Sequence, residues 1–154
     1  MRDSTAERND LAQAITTLGE DLATDSANRR AAFRVTVEGQ SRDLHPILRD
    51  EIYKIGAEAL RNAFRHAQAR QVEVEIRYDH NEFRLRVHDD GRGIDPAGLS
   101  QQGRVGHFGL QGVWERVTAI GGKLEVWSEV AAGTQVELCV PASKAYTPAE
   151  RMKA

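Results

Sequence analysis

The feature that most constrains this chain is a strand-like stretch that ends in two acids and two glycines, Asp89-Asp90-Gly91-Arg92-Gly93. Residues 82–88 before it alternate between polar and apolar side chains. Because side chains alternate between the two faces of a strand, Asp89 is predicted on the apolar face and Asp90 on the other. A carboxylate on a core face is costly unless it is hydrogen-bonded, and glycines let a ligand approach the backbone. The stretch therefore predicts a pocket for a flat group that donates hydrogen bonds, such as a purine.

The composition is typical of one folded domain with its own core. The chain has 154 residues, of which 40% are hydrophobic and 29% charged. A formal net charge of -2 gives no electrostatic reason to expect nucleic acid or an anionic membrane as a partner. The single cysteine, Cys139, excludes an internal disulfide. Because no signal peptide is visible and no apolar run reaches the roughly 18 residues of a membrane helix, we expect a cytoplasmic location.

Residues 6–22 are predicted to form a helix with a narrow apolar stripe. The stripe consists of Leu11, Ile15, Leu18 and Leu22, at heptad-like spacing. Two interpretations stay open. The helix packs on its own domain, or it is the end of a dimerising helix that begins upstream. The polar residues 24–30 that follow are interpreted as a linker.

The remaining pattern predicts alternating strands and two further helices. Strands are expected at 32–38, 72–78, 82–89, 124–130 and 134–140, and helices at 46–67 and 110–120. Residues 91–109 have almost no apolar periodicity and are interpreted as a lid, because long loops in compact domains are usually functional or disordered. Alternation in the strands indicates a sheet with one covered and one wet face. The expected architecture is a two-layer α/β sandwich with helices on one face.

The long helix carries polar residues beside its apolar stripe. Glu58 and Asn62 are four residues apart and share a helix face. The amide oxygen of Asn62 suits Mg²⁺, which takes its other ligands from water and phosphate. Glu58 is placed to polarise a hydroxyl near that metal, and Arg65 to reach a phosphate. An exposed helix edge with ordinary i,i+4 pairs is the alternative, and from this helix alone it is the better one.

Two glycine-containing segments follow later in the chain. Residues 106–112, with the sequence GHFGLQG, open the helix at 110–120. Helix N-termini present free N–H groups that bind phosphate. Gly133 and Thr134 start the last strand, where a hydroxyl would lie beside the Asp89 pocket. Each segment alone is equally consistent with an ordinary turn or helix start.

Taken together and in this order, the four segments resemble the GHKL (Bergerat-type) ATPase superfamily, which includes gyrase, heat-shock chaperone, mismatch-repair and histidine-kinase domains. The resemblance spans about Leu44 to Pro141. Two runs, Glu58–Ala67 and Gly109–Arg116, are similar to the ATP-binding catalytic domain of sensor histidine kinases paired with LuxR-like response regulators. The resemblance implies the GHKL fold, with a mixed, mostly antiparallel sheet, and the cofactors ATP and Mg²⁺.

The resemblance also implies roles for individual residues. Asn62 would coordinate Mg²⁺ on the triphosphate, Glu58 would assist phosphoryl transfer, and Arg65 and His66 would lie near the phosphates. Asp89 would accept the adenine amino group. The remaining implied nucleotide contacts are Gly91, Gly93 and Ile94 around the base, Gly106, Gly109, Leu110 and Gly112 at the lid end, and Thr134 supporting adenine through a water. The lid sequence departs from the Gly-x-Gly-Leu-Gly of larger kinase groups.

The chain is expected to be one part of a sensor kinase. None of its five histidines precedes an acid on an amphipathic helix, as a phosphoacceptor would. We therefore expect residues 1–30 to be the end of a dimerisation helix plus linker, 31–142 the catalytic domain, and 143–154 a frayed tail. The γ-phosphoryl group would pass to a histidine on a separate dimerisation domain, with a response regulator downstream. The alternatives are a GHKL ATPase, an anti-sigma-like serine kinase and a non-catalytic nucleotide-binding module.

Overall fold

The computed structural model describes residues 2–24, 31–66, 69–91, 111–129 and 133–147. The helices in these ranges are α1 (Arg2–Thr24), α2 (Pro46–His66), α3 (Gln111–Ala119) and α4 (Ala142–Ala145). The strands are β1 (Ala32–Gly39), β2 (Gln71–Tyr78), β3 (Glu82–Asp89), β4 (Lys123–Glu129) and β5 (Gly133–Pro141). Among the described residues, no helix has the length and apolar character needed to cross a bilayer.

The strands form one sheet in the order β1-β2-β3-β5-β4. β1 is parallel to β2, and the other neighbouring pairs are antiparallel. The parallel pair is possible because α2 lies between β1 and β2 in sequence and provides the crossover. A mixed, mostly antiparallel sheet was the expectation, and it is confirmed.

The inner face of the sheet is apolar and lies against the helices. Its cross-strand rows run over β3, β5 and β4, and the register pairs Val87 with Val136 and Val136 with Val126. Gly56 of α2 packs closely here, because a Cβ at this position would lie 3.1 Å from the Leu85 side chain. The helices therefore cover one face, as the alternation predicted.

The opposite face of the sheet carries ion pairs between neighbouring strands. Glu75, Arg86 and Glu137 are directly opposite one another across β2, β3 and β5. The Arg86 guanidinium lies 2.9 Å from Glu75 Oε1 and 3.3 Å from Glu137 Oε2. Opposite charges in facing positions of neighbouring strands stabilise the strand pairing only modestly. Because these side chains are partly exposed, each ion pair adds little to the free energy of unfolding. This face is the wet one that the sequence predicted.

The apolar stripe of α1 packs on its own domain. Leu11 and Ile15 are 1% and 0% exposed within the core, with Leu18 and Leu22 partly buried against it. Gly19 lies against the Phe33 ring, where a Cβ would come within 2.0 Å of a ring carbon. The apolar stripe of α1 therefore packs on the core of its own domain. The assignment of residues 1–30 to the end of a dimerisation helix and a linker stays a prediction. Of the predicted linker, residues 25–30 lie outside the described residues.

The prediction of a frayed tail from residue 143 is wrong for residues 143–147. Ala145 and Tyr146 are 0% and 5% exposed. The Tyr146 hydroxyl shares its one proton between the carbonyl oxygens of Asp79 and Glu82, at 2.9 and 3.2 Å. The Tyr146 ring stacks on Tyr78. The polar composition gave no local sign of this docking, because it depends on the distant β2–β3 turn. Residues 148–154 lie outside the described residues.

Candidate functional site

Asp89 is the last residue of β3 and lies on the inner face, with 4% exposure. Among the described residues it is the one buried charged side chain. Its Oδ1 accepts a hydrogen bond from the Gly91 N–H at 2.8 Å. Burial raises the pKa of Asp89 above its usual value, although the N–H groups of Gly91 and Thr134 act in the opposite direction. The inward position predicted from alternation is confirmed.

Asp90 points to the other side and holds the end of β3 against the start of β2. Its Oδ1 accepts the N–H groups of Arg70 and Gln71, both at 2.9 Å. Burial opposes ionisation, but these N–H groups hold the pKa of Asp90 below its usual value. No local sequence pattern indicates this role. Asp90 fixes the backbone next to Asp89, so one acid is the buried side chain and the other stabilises the strand end that carries it.

Gly133 brings the start of β5 directly against Asp89. Its φ is +111°, and a Cβ there would lie 2.0 Å from the Asp89 carbonyl oxygen, so only glycine fits. The next residue, Thr134, pairs with Asp89 in the register of β3 and β5. Its hydroxyl lies 3.0 Å from the hydroxyl of Ser128 on β4. The predicted proximity of Thr134 to Asp89 is therefore present.

Asn62 on α2 has an unused buried acceptor. Its Nδ2 donates to the Glu58 carbonyl oxygen at 3.1 Å, which points the amide oxygen away from the helix backbone. That oxygen, Oδ1, is buried and has no hydrogen-bond partner among the described residues. Buried polar atoms without partners are rare and need a reason. A bound cation would provide one, so the donor set fits the implied Mg²⁺.

The described residues contain no group of three or more His, Cys, Asp or Glu side chains that could hold a metal alone. A Mg²⁺ that takes one protein oxygen and completes its shell with phosphate and water does not need such a group. Asn62 is therefore suited to a metal that arrives with a phosphorylated ligand.

Glu58 lies in a groove between α2 and the start of α3. Gly112 and Val113 of α3 form the opposite wall, and Lys54, Arg61 and Arg116 add positive charge to the lining. The Glu58 carboxylate is 3.7 Å from the Arg61 guanidinium, in a partly exposed pair. The structure thus brings together Glu58 and the glycine-rich start of α3, two of the segments singled out in the sequence.

Several predicted site residues are described only in part or not at all. Arg65 is exposed on the last turn of α2, and His66 ends that helix. Five of them, Gly93, Ile94, Gly106, Gly109 and Leu110, lie outside the described residues. So does all of the predicted lid at 91–109 except Gly91. Their contacts stay predictions.

Residues 48–144 match the family described as "Histidine kinase-, DNA gyrase B-, and HSP90-like ATPase". The chain belongs to this family. The matched range includes Glu58 and Asn62 of α2, Asp89 and the start of α3. Within the family, the chain is an ATP-binding domain of the kind that sensor histidine kinases carry.

Two curated relatives of this family member are named as sensor histidine kinases. The chain is 30% identical over 141 residues to the sensor histidine kinase LiaS of Bacillus subtilis, covering 92% of the chain and 37% of LiaS. It is 36% identical over 103 residues to YdfH of the same organism, covering 64% of the chain and 25% of YdfH. The chain therefore spans well under half the length of these relatives. They are consistent with the kinase subgroup expected from the sequence.

Solved structures agree on the fold. The histidine kinase domain of a blue-light activated kinase from Erythrobacter litoralis superposes with a TM-score of 0.64 at 25% identity. The match covers 86% of this chain and 61% of that domain. The GHKL-type α/β fold expected from the sequence is therefore confirmed.

Proposed function

We propose that this chain binds ATP with Mg²⁺ and transfers the γ-phosphoryl group to a histidine on a dimerisation domain of its parent protein. The response regulator that receives the phosphoryl group next, and the cytoplasmic location of this part of the parent, belong to the same proposal. The observation that carries it is Asp89, a carboxylate buried on the apolar face of a sheet with its desolvation only partly offset. Such groups are concentrated at functional sites.

The base is bound at the end of β3. The ionised Asp89 carboxylate keeps acceptor capacity beyond the Gly91 N–H. The exocyclic amino group of adenine is a matching donor, and Gly91 and Gly133 leave backbone rather than side chains around it. Thr134 supplies a hydroxyl in the facing position, from which a water can bridge to the ring.

The triphosphate lies along α2. Asn62 Oδ1 would be the protein oxygen that holds Mg²⁺, and the bound ion would supply positive charge against the phosphates. Gly112 at the start of α3 faces Glu58 across the groove, and the N–H groups of this first turn suit the phosphates. Glu58 would orient the accepting imidazole and take its proton, which is a positioning and acid–base role.

The products of a labelling reaction distinguish this proposal from its alternatives. The chain is incubated with ATP labelled at the γ-phosphate, with and without the dimerisation domain of its parent. The proposal predicts labelled protein only when that domain is present, with the acid-labile and alkali-stable behaviour of phosphohistidine.

Other products would contradict it. Acid-stable label on a serine would favour the anti-sigma-like kinase, and release of labelled phosphate without labelled protein would favour the ATPase. Failure of the unmodified chain to bind ATP at all would remove the proposal. The Asp89→Asn chain, which retains the neighbouring Asp90, serves as the matched negative control.

A further inference from the structure

Three cross-strand rows on the inner face differ sharply in polarity. Each row runs from β3 through β5 to β4 in direct register. The first row is Leu85, Leu138 and Leu124, and the second is Val87, Val136 and Val126. The third row, at the end of the sheet, is Asp89, Thr134 and Ser128. A face that is uniformly apolar for two rows therefore becomes uniformly polar at the row that contains the buried acid.

Ser128 belongs to that polar row by contact as well as by register. Its Oγ lies 3.0 Å from Thr134 Oγ1 and 3.3 Å from the Gly133 carbonyl oxygen, which can accept its proton. Both hydroxyl residues are partly buried, so water competes less for these hydrogen bonds than at a fully exposed site. One row away, valine occupies the equivalent positions on β5 and β4.

The hydroxyl of Ser128 determines what Thr134 offers to the pocket. A serine hydroxyl has one proton, and the Gly133 carbonyl is only an acceptor. If Ser128 gives its proton to Gly133, Thr134 must donate to Ser128 and presents an acceptor to the pocket. If Ser128 donates to Thr134, the Thr134 proton is left for the pocket. In either arrangement Ser128 restricts the Thr134 hydroxyl to one orientation.

We propose that Ser128 is a positioning residue that orients the Thr134 hydroxyl beside Asp89 and thereby contributes to selectivity for adenine. This inference rests on the proposed binding of ATP and adds a residue of β4 to the base site. The proposed effect of Ser128 on nucleotide binding is exerted through its contact with Thr134, so it requires the threonine hydroxyl.

A double-mutant cycle measured by calorimetry with Mg²⁺–ATP tests this coupling. Ser128→Ala is expected to weaken ATP binding about tenfold, the scale of one hydrogen bond. Thr134→Val is expected to weaken it at least as much. The double variant should lose no more ATP-binding free energy than Thr134→Val alone, because the effects of two residues that act through one another are not additive. Ser128→Thr, which keeps a hydroxyl, should bind ATP within about twofold of the unmodified chain.

A second readout separates positioning from a general structural effect. The ratio of ATP to GTP affinity should fall in Ser128→Ala, whereas a loosened fold would weaken both nucleotides alike. Thr36→Val removes an exposed hydroxyl from β1, on the other face, and should change neither affinity. Thermal unfolding without nucleotide confirms that each variant is folded.

Two results would overturn the inference. The first is an unchanged ATP affinity in a folded Ser128→Ala chain. The second is a double variant whose loss of ATP-binding free energy equals the sum of the losses in Ser128→Ala and Thr134→Val. Either result leaves the proposed function intact as long as the unmodified chain binds ATP and Asp89→Asn does not. Loss of ATP binding by the unmodified chain would contradict both proposals together.

Discussion

Asp89 lowers the stability of the fold at neutral pH, but its buried carboxylate is a group that a ligand can use. Its folded-state pKa is raised, so its favourable contribution is present below the unfolded pKa and is lost as pH rises through the folded pKa. At neutral pH the buried ionised carboxylate is therefore destabilising. Natural proteins retain such groups mainly where a ligand uses them.

Local alternation was sufficient to place both acids at this position. It put Asp89 inward and Asp90 outward, and both orientations are confirmed. The role of Asp90 escaped prediction because its partners, Arg70 and Gln71, are brought close only by the pairing of β2 with β3. The sequence likewise did not reveal that Asn62 Oδ1 lacks a hydrogen-bond partner in the described part of the chain, since that depends on which atom of the amide meets the helix backbone.

Replacing Asn62 tests the metal assignment at the level of one atom. Asn62→Leu removes the unpaired Oδ1, so the affinity for Mg²⁺–ATP should fall while metal-free ATP binding changes little. The free energy of unfolding without nucleotide should stay within about 1 kcal/mol, because an unsatisfied acceptor is also removed. Calorimetry with Mg²⁺ and with a chelator measures both affinities. Equal losses under the two conditions would count against a metal role.

At the scale of helices and strands, periodicity predicted most boundaries closely. The helix expected at 46–67 is observed at Pro46–His66, and the one expected at 110–120 at Gln111–Ala119. Strand order could not be read in the same way. The insertion of β5 between β3 and β4, and the parallel pairing of β1 with β2, arise from contacts between distant segments.

One ion pair links the two helices that border the groove. Arg116 of α3 donates to Glu51 Oε1 of α2 at 2.8 Å, and this hydrogen bond lowers the pKa of Glu51 from its usual 4.5. A depressed carboxyl pKa contributes stability above the unfolded value, which is lost as pH falls through the folded value. The pair is partly exposed, so we expect Glu51→Gln to reduce the free energy of unfolding by at most about 1 kcal/mol at neutral pH.

Urea unfolding at a series of pH values measures this contribution. The difference between the unmodified chain and Glu51→Gln should be largest above pH 4.5 and should shrink below it. Asp50→Asn, at an exposed neighbouring position on α2, is the matched control and should change stability little. A difference independent of pH would show that Glu51 acts by packing instead of by charge.

At the scale of the whole molecule, the segment after β5 packs against two distant parts of the domain. The Tyr146 hydroxyl joins the two strand ends around the β2–β3 turn, and Thr147 N–H donates to the Asp43 carbonyl oxygen at 3.0 Å. Leu44 and Tyr146 also form an isolated antiparallel bridge. The segment therefore connects the chain before α2 with the far end of the sheet, which explains why its burial was invisible to local patterns.

Tyr146→Phe should destabilise the domain by about 1 kcal/mol, because the hydroxyl proton shared by two backbone carbonyls is lost while the ring stays. Burial raises the pKa of Tyr146 to about 12 from its usual 10. The stability from this hydroxyl is thus complete below pH 10 and is lost as pH rises towards 12. Urea unfolding at neutral and alkaline pH should show the difference between the two proteins shrinking over that interval. A constant difference would contradict the assignment.

Calorimetric titration of Asp89→Asn with Mg²⁺–ATP decides whether the buried carboxylate of residue 89 binds the base of ATP. Binding should be lost while the thermal midpoint without nucleotide stays the same or rises, since a desolvated charge has been removed. Asp90→Asn, the neighbouring acid on the other face, should be less stable yet still bind ATP. Unchanged ATP affinity in a folded Asp89→Asn chain would contradict the account.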